Sequence, residues 1–125
     1  MRSGIKVLED IVGDGEEIQR HRFYRMSLRI WLNKGESIKW TKPFGLLDQS
    51  QVSDGGEVLT ADFRIDREFL FGGLFYGIEG MHIGGKRLLK ISPHLAYRDK
   101  GVENMIPPNA VLKVEVVVRG ERVMQ

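Results

Sequence analysis

The stretch GMHIGGKR, from Gly80 to Arg87, carries a spacing that invites nucleotide chemistry. Gly80-x-x-x-x-Gly85-Lys86 matches, through its lysine, the loop whose backbone amides cradle phosphates. Arg87 then stands where a Ser or Thr would hold magnesium. A working loop of this kind follows a strand and opens a helix, so that phosphate meets the helix N-terminus. Here a helical pattern precedes the loop and a strand pattern follows it. That order excludes the phosphate site. What is left is a helix exit through Gly80 and Met81, a tight turn at Gly84-Gly85, and a strand start at Lys86. Lys86 and Arg87 then read as solvated strand-edge charges.

Other reactive residues form no constellation. His21, His82 and His94 lie far apart and lack ligand spacing, so no metal site is expected. The chain has no cysteine, which excludes disulfides and thiolate metal sites. Asp62, Asp66 and Glu68 are close in sequence, but a polar strand face and a helix cap account for them. Ser53 and Ser92 have no companion His and Asp that spacing can vouch for. Nothing calls for a cofactor.

Composition narrows the partners. The 125 residues are 42% apolar, which suits one compact domain over residues 1–125. Nineteen basic residues nearly balance 17 acidic ones, for a net charge of +2. The Lys and Arg residues are scattered, without the dense run that a nucleic-acid groove or a membrane-surface helix needs. Neither nucleic acid nor membrane is therefore expected as a partner. The opening MRSGIKVLED has no apolar signal region, and no apolar run approaches roughly 18 residues. A soluble cytoplasmic chain is the expectation.

The elements that would position any site are legible from periodicity. IKVL, residues 5–8, reads as a first strand, followed by the turn-forming Gly13-Asp14-Gly15. YRMSLRIWL alternates, with Met26, Leu28, Ile30 and Leu32 on one face and Arg25, Ser27 and Arg29 on the other; period two marks a half-buried strand. Trp31 falls on the polar face, as an exposed platform or under another segment. Asn33-Lys34-Gly35 predicts a turn and ESIKW the second strand of a hairpin. Residues 41–57, with Pro, Ser and three Gly, predict a long loop. LTADFRI alternates again.

From 66 to 81 the period becomes helical, through Leu70, Phe71, Leu74, Phe75 and Ile78, with an N-cap candidate at Asp66-Arg67-Glu68. Gly72, Gly73 and Gly77 each cost about 1 kcal/mol against Ala inside a helix. So many glycines imply close approach by backbone or ligand, or a poorly formed helix. KRLLKI and AVLKVEVVV predict two more strands, the last burying Leu112, Val114, Val116 and Val118. The expected fold class is α+β: an antiparallel sheet of five to six strands wrapped around one short helix.

Between those last strands lies ISPHLAYRDKGVENMIPP, Ile91 to Pro108, by composition a proline-punctuated loop. The order Gly-Met…Gly-Gly-Lys-Arg…Ile-Ser-Pro…Ala-Tyr…Gly…Ile-Pro-Pro-Asn-Ala…Leu is nonetheless specific. It resembles the C-terminal half of the macrolide-binding FKBP family of peptidyl-prolyl isomerases, from about Phe71 to Val118 without gaps. GIKVLEDIVGDGE resembles that family's first strand and turn, and the middle matches in outline. The resemblance implies isomerisation of Xaa-Pro bonds in proline-containing polypeptides, without a cofactor and in a protein-folding role. The alternative is a non-catalytic peptide-binding or chaperone-like module on the same fold.

Carried over by position, Tyr97 matches the family's pocket tyrosine, whose hydroxyl bonds a substrate carbonyl, and is the catalytic candidate. Phe71 falls where a backbone N–H binds a second carbonyl. Leu70 and Leu74 would line wall and floor, and Met105, Ile106 and Val114 would close the sides. Ile38 falls where the family has a pocket phenylalanine. Read without the family, Phe71 and Leu74 equally suit a buried helix face, and Tyr97 a loop-anchoring hydroxyl. Leu74 replaces the family's floor tryptophan, Leu28 a strand tyrosine, Lys39 an aspartate beside the pocket, and Ala61 another aromatic. A less aromatic cavity follows, with weaker catalysis, altered substrate preference and poor macrolide binding as the expected results.

Overall fold

A computed structural model describes residues 3–33, 35–40, 51–103 and 105–121. Six strands form one sheet: β1 (Ile5–Ile11), β2 (Phe23–Leu32), β3 (Gln51–Ser53), β4 (Val58–Arg64), β5 (Lys86–Ile91) and β6 (Leu112–Glu121). Their order is β1-β5-β6-β2-β4-β3, and every neighbouring pair is antiparallel. One helix, α1 (Gly72–Gly77), packs on the apolar face. The expected α+β architecture is present.

Alternation explains the central strands. Tyr24, Met26, Leu28 and Ile30 of β2 face inward and are buried, as are Leu112, Val114, Val116 and Val118 of β6. The two strands pair through nine registered positions, which place Leu28 beside Val116 and Ile30 beside Val114. On the outer face Arg25 pairs with Asp62 at 3.0 Å, Arg29 with Glu57 at 3.0 Å, and the Ser27 and Thr60 hydroxyls meet at 2.7 Å. Trp31 is half-buried on this face, with the Arg29 guanidinium 5.6 Å from its ring centre. It is a platform for that arginine.

The helix is shorter than its periodicity predicts. Asp66 does cap, but it caps a separate turn: its Oδ1 accepts the amides of Glu68 and Phe69 at 3.0 and 3.1 Å, and its carbonyl accepts that of Leu70 at 3.0 Å. Phe71 then takes an extended backbone (φ −67°, ψ 158°), and α1 begins only at Gly72. The helical spacing of Leu70, Phe71 and Leu74 therefore spans two turns broken at Phe71. Two glycines explain why α1 tolerates them. A Cβ on Gly73 would lie 2.2 Å from Ile91 Cγ2, and one on Gly77 would lie 2.6 Å from Leu89 Cδ1. Close approach of the helix backbone to β5 is the reason.

Three other expectations change. ESIKW makes only a short contact: Leu32 N–H donates to Glu36 O at 2.7 Å and Ile38 N–H to Ile30 O at 2.9 Å. Pairing with β4 occupies this edge of β2 up to Leu28, so only the end of β2 remains to receive the segment. Trp40 N–H then bonds Gly56 O at 2.7 Å. Lys34 of the predicted turn, and residues 41–50 of the predicted loop, lie outside the described residues. The rest of that loop is a hairpin. β3 pairs with β4 through a turn in which Asp54, Gly55 and Gly56 all take positive φ (52°, 66° and 97°).

The third change concerns Arg87, which is buried rather than solvated (8% exposed). It shares the inward face of β5 with Leu89 and Ile91 and crosses to the helix exit. There its Nη1 donates to Gly77 O at 2.9 Å and Glu79 O at 2.8 Å, and Nε and Nη2 reach Asp10 at 3.2 and 3.3 Å. Arg87 thus ties α1, β1 and β5 together, satisfying carbonyls that a helix end leaves orphaned. Amides of the GMHIGGKR stretch are taken up by backbone carbonyls. Those of Met81, Ile83, Gly84 and Gly85 donate to Ile78, Glu16, Val118 and His82 carbonyls at 2.8–3.0 Å.

Candidate functional site

The site residues named by position come from five parts of the fold. Ile38 lies in the segment after β2, Leu70 and Phe71 at the break before α1, Leu74 within α1, and Val114 near the start of β6. Tyr97, Met105 and Ile106 belong to the segment between β5 and β6. All eight join one apolar cluster: Ile38, Leu70, Leu74, Ile106 and Val114 as buried members, with Phe71, Tyr97 and Met105 packed against them half-buried.

The β5–β6 connection is a folded structure with its own bonds. Ser92 and Pro93 start a 3-10 turn over Pro93–Leu95. Gly101 N–H donates to Tyr97 O at 2.9 Å, and Val102 and Ile106 exchange both backbone bonds at 2.8 Å. Asn109 N–H closes back on Arg98 O at 2.7 Å. These bonds set Tyr97 against the start of α1, where its ring lies 5.3 Å from that of Phe71, tilted by 47°. A tilted pair at this distance is a favourable aromatic contact. Burial pushes the Tyr97 phenol up to about 12, so its hydroxyl stays protonated at neutral pH and can donate.

Phe71 adds a second donor. Its carbonyl accepts the first helical bond, from Phe75 N–H at 2.9 Å, while its own amide makes no hydrogen bond among the described residues. A helix start leaves its first amides unpaired, and the extended Phe71 adds one more just outside the helix. An unpaired N–H and a protonated phenol thus flank one aromatic pair on an apolar base. Such a surface can hold a carbonyl-bearing, apolar group; it offers no nucleophile. Among the described residues no three His, Asp or Glu side chains gather closely enough to hold a metal ion.

Two surface depressions adjoin this cluster. One, of about 330 Å³, is lined by Lys100, Val102, Glu103, Met105, Ile106, Pro107 and Pro108. The other, of about 250 Å³, runs along Phe71, Gly72, Tyr76 and residues 94–96, with Arg67 and Arg98 at its sides. Neither reaches Leu74, Ile38 or Val114, which sit beneath the surface at 1%, 4% and 0% exposure. Of the positions where family aromatics are replaced, Leu28 and Ala61 are also buried, at 3% and 1%. Lys39 is exposed. The second depression, with its two arginines, is absent from any sequence signal: Arg67 and Arg98 are 31 positions apart in the chain.

A single short helix on a six-stranded antiparallel sheet, with an apolar cluster beside it, defines the α+β class of the fold. Comparison with known proteins places it further. The model of the FKBP-type peptidyl-prolyl cis-trans isomerase matches residues 32–119, and the chain belongs to that family. It is 30% identical over 120 residues, 93% of this chain, to the 39 kDa FK506-binding nuclear protein of Drosophila melanogaster, of which it spans 29%. It is 39% identical over 72 residues to FK506-binding protein 1A of Neurospora crassa, covering 58% of each. Among solved structures, FkpA from Escherichia coli superposes with a TM-score of 0.67 at 25% identity, over 97% of this chain and 53% of that one. The chain therefore spans under a third of the Drosophila protein and little more than half of the other two.

Proposed function

We propose that this chain accelerates cis–trans exchange of Xaa-Pro bonds in polypeptides. The observation that carries the reading is the unpaired Phe71 amide beside the Tyr97 ring on an apolar base. Rotation about an amide faces a barrier of about 18–20 kcal/mol, because the planar form is resonance-stabilised. No bond to carbon needs to be broken. A surface that binds the twisted amide better than either planar form lowers that barrier by differential binding alone. The proline ring would rest against the Phe71 and Tyr97 rings, out of water. Phe71 N–H and the Tyr97 hydroxyl would hold carbonyl oxygens on either side of the turning bond, as the family resemblance implies.

A second reading, in which the surface holds extended peptide without catalysing, is favoured by one feature. Leu74 and Val114 are closed off at 1% and 0% exposure, so a proline ring cannot sink to the floor. The same closure and the loss of aromatics support slow catalysis and poor macrolide binding. Exchange spectroscopy on short Xaa-Pro peptides separates the two readings. Acceleration proportional to protein concentration supports the isomerase. Peptide binding with unchanged exchange supports the module.

A further inference from the structure

We propose that the depression beside Phe71 is a subsite for an acidic side chain close to the substrate proline, an inference that rests on the isomerase reading. Arg67 and Arg98 line it together with His94, and no Asp or Glu does. The acids nearest Arg67 in sequence, Asp66 and Glu68, are both taken by Arg64, the second at 2.8 Å. Arg67 itself donates from Nη1 to Leu70 O at 2.7 Å, which fixes its guanidinium over Gly72. Neither Arg67 nor Arg98 has a carboxylate partner among the described residues. One guanidinium is thus fixed at a concave site that a second arginine also lines, and no Asp or Glu lines it.

The depression, about 250 Å³, leaves room for an anion. Gly72 lies beneath it in ordinary contact range of the Arg67 guanidinium and Leu95: a Cβ there would lie 3.7 Å from Arg67 Cζ and 3.4 Å from Leu95 Cδ2. Arg98 also holds a left-handed backbone, φ 49°, where Gly or Asn is the cheaper residue. Planar guanidinium groups match carboxylate geometry, and arginine clusters are a recurring means of reading acidic motifs. Phe71 belongs both to this depression and to the ring pair with Tyr97. An extended chain advances about 3.3–3.6 Å per residue, so the acid would lie within about two residues of the proline. The scattered charges of the sequence, near balance overall, conceal this local excess.

The test compares Xaa-Pro peptides that carry Glu, Ala or Lys beside the proline, by exchange spectroscopy at low salt. The Glu peptide should be accelerated on the order of tenfold more than the Lys peptide, as one charge-assisted contact allows. That ratio should collapse towards one in Arg67→Gln, which keeps a donor for Leu70 O, combined with Arg98→Asn, which suits the left-handed backbone. Equal acceleration of all three peptides overturns the subsite and leaves the isomerase standing. If no peptide is accelerated the isomerase reading fails, and a proline-free acidic tripeptide then decides the subsite. Shifts of the Gly72 and Arg98 amide resonances that vanish in the double variant support it; no shifts overturn it. A phosphoserine peptide favoured more than about tenfold over the Glu peptide would overturn the assignment to a carboxylate.

Discussion

The floor and the rim of the candidate site are built differently. Ile38, Leu70, Leu74, Ile106 and Val114 are each 4% exposed or less, whereas Phe71, Tyr97 and Met105 are half-buried. Leu74 and Val114 sit on α1 and β6, and all five floor residues are buried members of the core cluster. Both groups draw on the break before α1 and the β5–β6 connection; the rim residues there are the ones left partly in water, and the Phe71 amide makes no hydrogen bond among the described residues. The positions that the resemblance groups into one site thus differ in burial, the floor lying within the core and the rim reaching the surface.

Substitutions should expose that division, the largest effect first. Leu74→Ala is expected to cost about 2–5 kcal/mol of stability, the range for a fully buried leucine. Phe71→Ala should cost roughly half of the about 3–5 kcal/mol of a fully buried phenylalanine, since part of its ring is already in water. Urea unfolding of both variants measures this. Equal losses, or a greater loss at Phe71, would erase the distinction between floor and rim.

Tyr97→Phe should move stability by no more than about 1 kcal/mol, the ordinary net worth of one hydroxyl contact. It should slow the catalysed exchange on the order of tenfold if that hydroxyl binds a substrate carbonyl. Slower exchange at unchanged stability sharpens the comparison. A variant that unfolds readily would make Tyr97 a floor residue in effect.

The smallest effects appear in pH dependence. Because burial raises the Tyr97 phenol to about 12, its contribution to stability is complete below about pH 10 and is lost as pH rises towards 12. Wild type should lose stability across that window more steeply than Tyr97→Phe. At the acid end, burial acts to raise the Asp66 carboxyl. The Phe69 amide, Arg64 and the Glu68 amide outweigh it and hold the group below the usual carboxylate range. Its contribution is present above the unfolded value and falls away as pH drops through the lowered one. Asp66→Asn should flatten the acid limb of the unfolding curve.

Much of the fold was legible because alternation maps directly onto burial. Lys86–Ile91 is the strand that KRLLKI predicts, and the faces of β2 and β6 follow their period of two. Depth was not legible. Period two marks Arg87 as a member of the inward set, yet its charge argued for solvent; only the carbonyls of Gly77 and Glu79 and the Asp10 carboxylate explain the reversal. The helix was overextended because apolar spacing continues through a backbone break. β3 was missed because its three residues depend on positive φ at Asp54 and the two following glycines. The site residues came from family resemblance rather than spacing. That comparison identifies positions, and burial then separates floor from rim.

The most direct measurement follows backbone amides by two-dimensional NMR as a proline-containing peptide is titrated into the protein. Phe71 N–H should shift strongly as it gains a carbonyl partner, with smaller shifts at Gly72 and Tyr97, while the amide of Leu89 beneath the helix stays in place. A Phe71 amide that does not move while the peptide binds elsewhere would contradict the rim assignment.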